Sequence, residues 1–179
     1  MNPQDVLHFW FDEATPEQPF KKDAAFDAEI RARFGETQRA AAHGELASWR
    51  DAPEGRLAEI VVLDQFSRNL FRDDARAFAT DGMALVLAQE AIRAGVDRAT
   101  PAARLAFLYM PFMHSESCAI HVEAERLFRQ PGLELNYKFE LKHKAIIDRF
   151  GRYPHRNHVL GRASTPEELA FLEQQGSSF

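Results

Sequence analysis

In 179 residues the chain has a single cysteine, Cys118. An intramolecular disulfide is therefore impossible, and a structural zinc site built on several thiolates is excluded. Tryptophan is scarce at two residues, and seven Val, six Ile and five Thr supply few of the side chains that favour strands. The longest apolar run, Leu105 to Met113, falls far short of the roughly 20 residues that span a bilayer, so no membrane partner is expected. The N-terminus, Met1-Asn2-Pro3-Gln4-Asp5, has no basic stretch leading into an apolar one. No secretion signal is expected, and a reducing cytoplasm is the expected home. Asp and Glu outnumber Lys and Arg by 27 to 22, a net charge of −5, which gives nucleic acid no general reason to bind. There is no phosphate loop, dinucleotide glycine fingerprint, Gly-x-Ser-x-Gly or His-Glu-x-x-His. One Glu-x-x-His occurs, Glu140 to His143, without the second copy and further glutamates of a carboxylate di-iron bundle. No metal and no cofactor is expected.

Helix formers are plentiful. Ala appears 27 times, Leu 16 and Glu 16, against few β-branched residues, so the fold class is all-α. The 15 Phe are expected to fill much of the core. Asn2 caps a first helix with Pro3 at its first position and Val6, Leu7, Trp10 and Phe11 on its apolar side. Glu13 to Phe20 reads as a loop. Asp23 opens a helix carrying Phe26, Ile30 and Phe34 at four-residue steps, which stops at Gly44. After Pro53, one helix face carries Leu57, Ile60, Val61, Asp64 and Arg68. Phe71 to Phe78 is irregular. The next helix starts at Thr80 or Asp81, turns Met83, Val86, Leu87 and Ile92 inward, and ends near Gly95.

Thr100-Pro101 starts a helix with Leu105, Leu108, Tyr109 and Phe112, which Pro111 is expected to kink or end. Ser115 is placed to cap a helix running to Arg129. Leu135 to Phe150 follows, with Phe139, His143, Ile146, Ile147 and Phe150 inward and Gly151 closing it. Tyr153 to Arg162 reads as polar and irregular. Thr165-Pro166-Glu167-Glu168 is a capping box for a last helix carrying Leu169 and Leu172, and Gln174 to Phe179 is a tail. Short breaks between helices imply antiparallel hairpins. The expected architecture is one domain over residues 1–179: N-terminal helices in 1–52, stacked helix pairs of α-solenoid type in 53–173, and the tail 174–179.

Three blocks carry chemistry. In Asp64-Gln65-Phe66-Ser67-Arg68-Asn69, Asp64 lies on an apolar face. A buried carboxylate costs several kcal/mol unless paired, and Arg68 sits one turn on. That pair either fixes helix packing or faces a ligand. In Pro111-Phe112-Met113-His114-Ser115-Glu116, a break in the helix puts His114 and Glu116 at a junction. From Lys138 to Arg162 there are seven Lys or Arg and only two acids, and the loop Arg152-Tyr153-Pro154-His155-Arg156-Asn157 is rich in arginine, which suits carboxylate or phosphate recognition.

Together with Val6-Leu7-His8-Phe9-Trp10-Phe11, and with Leu160-Gly161-Arg162 and Ser164 to Glu168 behind the third block, these blocks resemble, in order and over nearly the whole chain, the bacterial domain-of-unknown-function family 924. The resemblance implies an all-helical fold similar to tetratricopeptide-repeat proteins and no settled activity. Where the family often has a further acid after Glu116, this chain has Ser117.

The expected function is a polar, arginine-rich pocket for a small anionic molecule, lined by Asp64, Gln65, Arg68, Asn69, His114, Glu116, Arg152, His155, Arg156 and Asn157. One alternative is a hydrolase-type enzyme, with Asp64 or Glu116 as base, His114 or His155 as acid, and arginines stabilising charge. A second is a peptide- or protein-interaction module. A third is a buried hydrogen-bond network that only holds helices together. The pocket requires Asp64, His114 and His155 to lie within one pocket's width.

Overall fold

The computed structural model describes residues 1–177. Among them are nine α-helices and no strand. The chain starts with α1 (Pro3–His8), capped by Asn2 and Asp5 in a reciprocal box, and winds on as a π-helix over Phe9–Glu13. Helix α2 (Ala24–Ala42) follows, capped by Asp23. Helix α3 (Pro53–Val61) runs into a second π-helical stretch, Val62–Phe66, and then α4 (Ser67–Leu70). The remaining helices are α5 (Asp81–Arg93), α6 (Ala102–Met113), α7 (Cys118–Phe128), α8 (Glu134–Phe150) and α9 (Pro166–Leu172).

Helices α5 to α8 pack as successive neighbours, whereas α3 touches α1, α5 and α6 at once. Phenylalanines make the joint. Phe9, Phe34 and Phe66 have ring centres 5.0 to 6.0 Å apart, and Trp10 meets Phe66 edge-on at 5.4 Å. Each such pair contributes about 0.5–1.5 kcal/mol beyond its buried area. They anchor the π-helical stretch that carries Asp64. Gly55 lets α3 close on the preceding turn, since a Cβ there would sit 1.9 Å from the Trp49 carbonyl oxygen.

Several sequence expectations fail. Helix α5 does not turn Met83 and Val86 inward; both are exposed, and Ala84, Ala88 and Ala91 form the buried stripe. Small residues at these steps let α5 lie close to α3 and α6. Phe139 and Leu169 are also exposed, while Glu140 and Glu168 are buried in their helices. Pro111 does not end α6, which continues to Met113. A proline near a helix end forfeits one backbone bond, and burial of Met110, Phe112 and Met113 offsets it. Ser115 does not cap α7, which starts at Cys118 after Ser117. Within the irregular Tyr153–Arg162 segment, Tyr153, Pro154, Arg156 and Asn157 are all buried. In the expected tail, Ser177 is buried and donates to the Leu172 carbonyl at 3.0 Å. Residues 178–179 of that tail lie outside the described residues. Among the described residues, no helix is long and apolar enough to cross a membrane.

Candidate functional site

The wide winding of Val62–Phe66 displaces carbonyls from the ordinary helical ladder, and side chains receive them. π-Helical turns of this kind frequently occur at functional sites. The Thr80 hydroxyl donates to the Leu63 carbonyl at 2.7 Å, and the Arg68 guanidinium donates to the Asp64 carbonyl at 2.6 Å. Thr80 in turn meets Ser67 at 3.0 Å, which ties the start of α5 to α4. Asp81, the first residue of α5, is thereby held beside Arg68.

The centre of the site is the pair Asp64 and His114. The His114 Nδ1 lies 2.7 Å from Asp64 Oδ1, and the Gln65 amide donates to Asp64 Oδ2 at 2.5 Å. Asp64 is 1% exposed. Burial favours its protonated form, but His114 and Arg68 beside it, with Gln65, outweigh burial and hold the carboxyl well below the usual carboxylate range. Burial, and then the charge of Arg68, push His114 below the ordinary histidine range against the pull of Asp64. A neutral His114 facing an ionised Asp64 places its hydrogen on Nδ1, leaving Nε2 as a lone pair. That nitrogen has no hydrogen-bond partner among the described residues, and His114 is one of the residues that line a cleft of about 330 Å³.

Two arginines flank the pair. Arg68 grips Asp81 with both branches, at 2.9 and 3.0 Å, and lies 3.1 Å from Asp64 Oδ1. Arg156 donates to Asp81 Oδ2 at 3.1 Å and to the His114 carbonyl at 3.0 Å. Its guanidinium sits between the rings of Phe78 and Tyr153, 4.5 and 4.6 Å from their centres. Arg156 is 6% exposed, and burial lowers its pKa from the ordinary arginine value. Glu116, on the cleft wall, is paired with Arg162 at 2.6 and 2.9 Å and accepts from the Tyr153 backbone N–H at 2.7 Å. Burial alone would raise the Glu116 pKa, but Arg162 and that N–H bring it below the usual range. Phe78, Leu85, Pro111 and Leu160 supply apolar wall.

The ten sequence-selected residues thus divide. Asp64, Gln65, Arg68, His114 and Arg156 form one connected network, with Glu116 on the cleft wall. His155 is not among the residues lining the cleft; its ring centre is 5.6 Å from that of Tyr153, and its pKa is lowered to about 4 by burial and then by Arg156. The other three brace the fold. Asn69 donates to Asp27, Arg152 clamps the capping glutamate Glu168 of α9, and Asn157 bridges Ser164 and Arg162.

Sequence reasoning missed Asp81, Arg162, Tyr153 and His121. Asp81 looked like an ordinary acidic helix start. His121 carried a signal: it shares an apolar stripe with Ala124 and Phe128, and it is fully buried. Glu140, half of the lone Glu-x-x-His, meets His121 at 2.7 Å. Among the described residues, no group of three or more His, Cys, Asp or Glu is placed to hold a metal ion.

The family model for a bacterial protein of unknown function (DUF924) matches residues 6–176. A solved structure, the protein of unknown function ATU0120 from Agrobacterium tumefaciens, is 43% identical, and the match covers 96% of each chain with a TM-score of 0.90. No curated protein matches.

Proposed function

The chain belongs to this DUF924 family, and from that premise we propose that it binds a small anionic molecule in the cleft and exchanges a proton with it through His114. One observation carries the proposal: Nδ1 of His114 is committed to a buried carboxylate, while Nε2 has no partner among the described residues and His114 is a residue of the cleft wall. A histidine oriented in this way by an acid is a competent general base. Asp64 supplies the orientation and stabilises the imidazolium that forms. The carboxylates around it are already matched by arginines, so neither Asp64 nor Glu116 is the better base.

The anionic preference rests on Arg156. It lines the cleft, spends one N–H on Asp81 and one on a carbonyl, and retains donors for a ligand carboxylate or phosphate. A hydrolase-type reaction, in which His114 takes a proton from water or from a substrate hydroxyl, is consistent with this arrangement. The cleft's volume suits a small molecule better than a peptide. Successive packing from α5 to α8 supports a tetratricopeptide-like stacking of that half of the chain. The single cysteine suits a reducing cytoplasm.

The test is ligand-observed NMR on mixtures of small metabolite anions, with wild-type protein and His114→Gln. The expected result is binding by both proteins and turnover by the wild type alone. Equal turnover by the variant, or no small molecule bound by the wild type, overturns the proposal.

A further inference from the structure

The last carbonyls of a helix have no partners within it. At the end of α6 and in the two residues that follow it, three consecutive carbonyls are received by three buried side chains. Tyr153 donates its hydroxyl to the Met113 carbonyl at 2.5 Å, and Arg156 donates to the His114 carbonyl at 3.0 Å. His121 meets the Ser115 carbonyl through Nε2 at 2.8 Å. The backbone that carries His114 is thus held at every residue. His121 is unlike the other two donors because it needs a proton on a particular nitrogen.

Nε2 faces the Ser115 carbonyl oxygen, which only accepts, and lies 3.2 Å from the Tyr153 hydroxyl, whose own hydrogen goes to the Met113 carbonyl, so Nε2 carries a hydrogen. On the other side, Nδ1 lies 2.7 Å from Glu140 Oε1. Both residues are fully buried. Glu140 Oε2 is buried with no hydrogen-bond partner among the described residues, an unfavourable place for an ionised carboxylate. Burial is also the leading influence on Glu140, and it moves the acid above its ordinary range despite His121. The unpartnered Oε2 favours the protonated acid at this place, and a protonated Glu140 donates to Nδ1 and leaves the hydrogen of His121 on Nε2.

We infer that His121, its tautomer set by Glu140, is a positioning residue for His114. It locks the Ser115 carbonyl, and this aims the His114 ring at Asp64 on one side and at the cleft on the other. Neither His121 nor Glu140 is among the residues lining the cleft. The inference rests on the reading of His114 as the reactive group. Its test observes the ring itself, so it can fail while that reading stands, and the reverse.

The experiment compares Glu140→Gln, Glu140→Leu and His121→Phe with wild type. Two quantities are read: the Nδ1–H resonance of His114 in nitrogen-15 imidazole spectra, and the rate at which diethyl pyrocarbonate acylates His114, followed by mass spectrometry. Glu140→Gln keeps an N–H donor towards Nδ1, so both quantities should match wild type. Glu140→Leu and His121→Phe release the Ser115 carbonyl. Each should alter the His114 acylation rate by about fivefold, the weight of one neutral hydrogen bond, and shift or broaden its Nδ1–H signal. If His121→Phe fails to fold, the two Glu140 variants carry the comparison. An unchanged His114 in Glu140→Leu overturns the inference even where the melting temperature falls, because the contact is then structural only. A Glu140→Gln protein as perturbed as Glu140→Leu overturns it too, because Glu140 then acts as an ion.

Discussion

Replacing Asp64 with Asn keeps the volume and removes the charge. The carboxylate is 1% exposed and has three partners: His114 at 2.7 Å, Arg68 at 3.1 Å and the Gln65 amide at 2.5 Å. Breaking a buried ion pair by removing one member costs about 3–5 kcal/mol. Part of that is recovered here. The Asn carbonyl still accepts from His114, worth about 1 kcal/mol, and Arg68 keeps its two-branched grip on Asp81. The new amide nitrogen then faces the Gln65 amide nitrogen, so Gln65 must flip and give up its contact with the Met110 sulfur. A net loss of about 2–4 kcal/mol follows. In urea, with a slope near 2 kcal/mol per molar, the midpoint should fall by about 1–2 M while the fold is retained. Loss of the Asp64 charge should also lower the affinity of His114 for a proton further. An unchanged midpoint and an unchanged His114 titration would refute the reasoning, because Asp64 would then be neither paired nor coupled as described.

Three further outcomes are expected. Gly55→Ala places a methyl group 1.9 Å from a backbone oxygen, so it should destabilise by about 1–3 kcal/mol or more, read by the same urea titration. Acid should weaken the fold between about pH 6.5 and 4. Burial lowers His143 to about 3 and His155 to about 4, so the unfolded chain takes up their protons while the folded one refuses them. Each contributes about 1 kcal/mol per pH unit of lost stability as pH falls through that window, with Glu140 opposing, and a flat urea midpoint across it would contradict the burial of these rings. Arg152→Ala should loosen α9, seen as faster amide exchange over Pro166–Leu172, and leave the His114 spectrum unchanged. A change at His114 would place Arg152 in the site after all.

Local rules were readable in the sequence because they act over a few residues. The capping boxes at Asn2 and Thr165 and the left-handed glycines after α2 and α8 stand where the residue types demand. The Asp64–Arg68 spacing gave the right pair, because one helical turn brings them together whatever surrounds them. What was hidden depends on distant packing. Arg68 spends both branches on Asp81, thirteen residues away, and Arg156 reaches the same acid from seventy-five residues away. Hydrophobicity misled on α5, where close approach to two neighbours favours alanine over the larger Met83 and Val86. It misled again on α8, where a buried glutamate finds a histidine on α7 that has no marker beyond its stripe.

The proposed chemistry turns on the state of one ring. A pH titration of nitrogen-15-labelled protein, with the His114 signals assigned through His114→Gln, measures it directly. The expected result near pH 7 is a neutral imidazole with its hydrogen on Nδ1, coupled to Asp64, that titrates below the ordinary histidine range. An imidazolium at that pH, or a ring with its hydrogen on Nε2, would contradict it, because the nitrogen left to the cleft would then have no lone pair with which to take a proton.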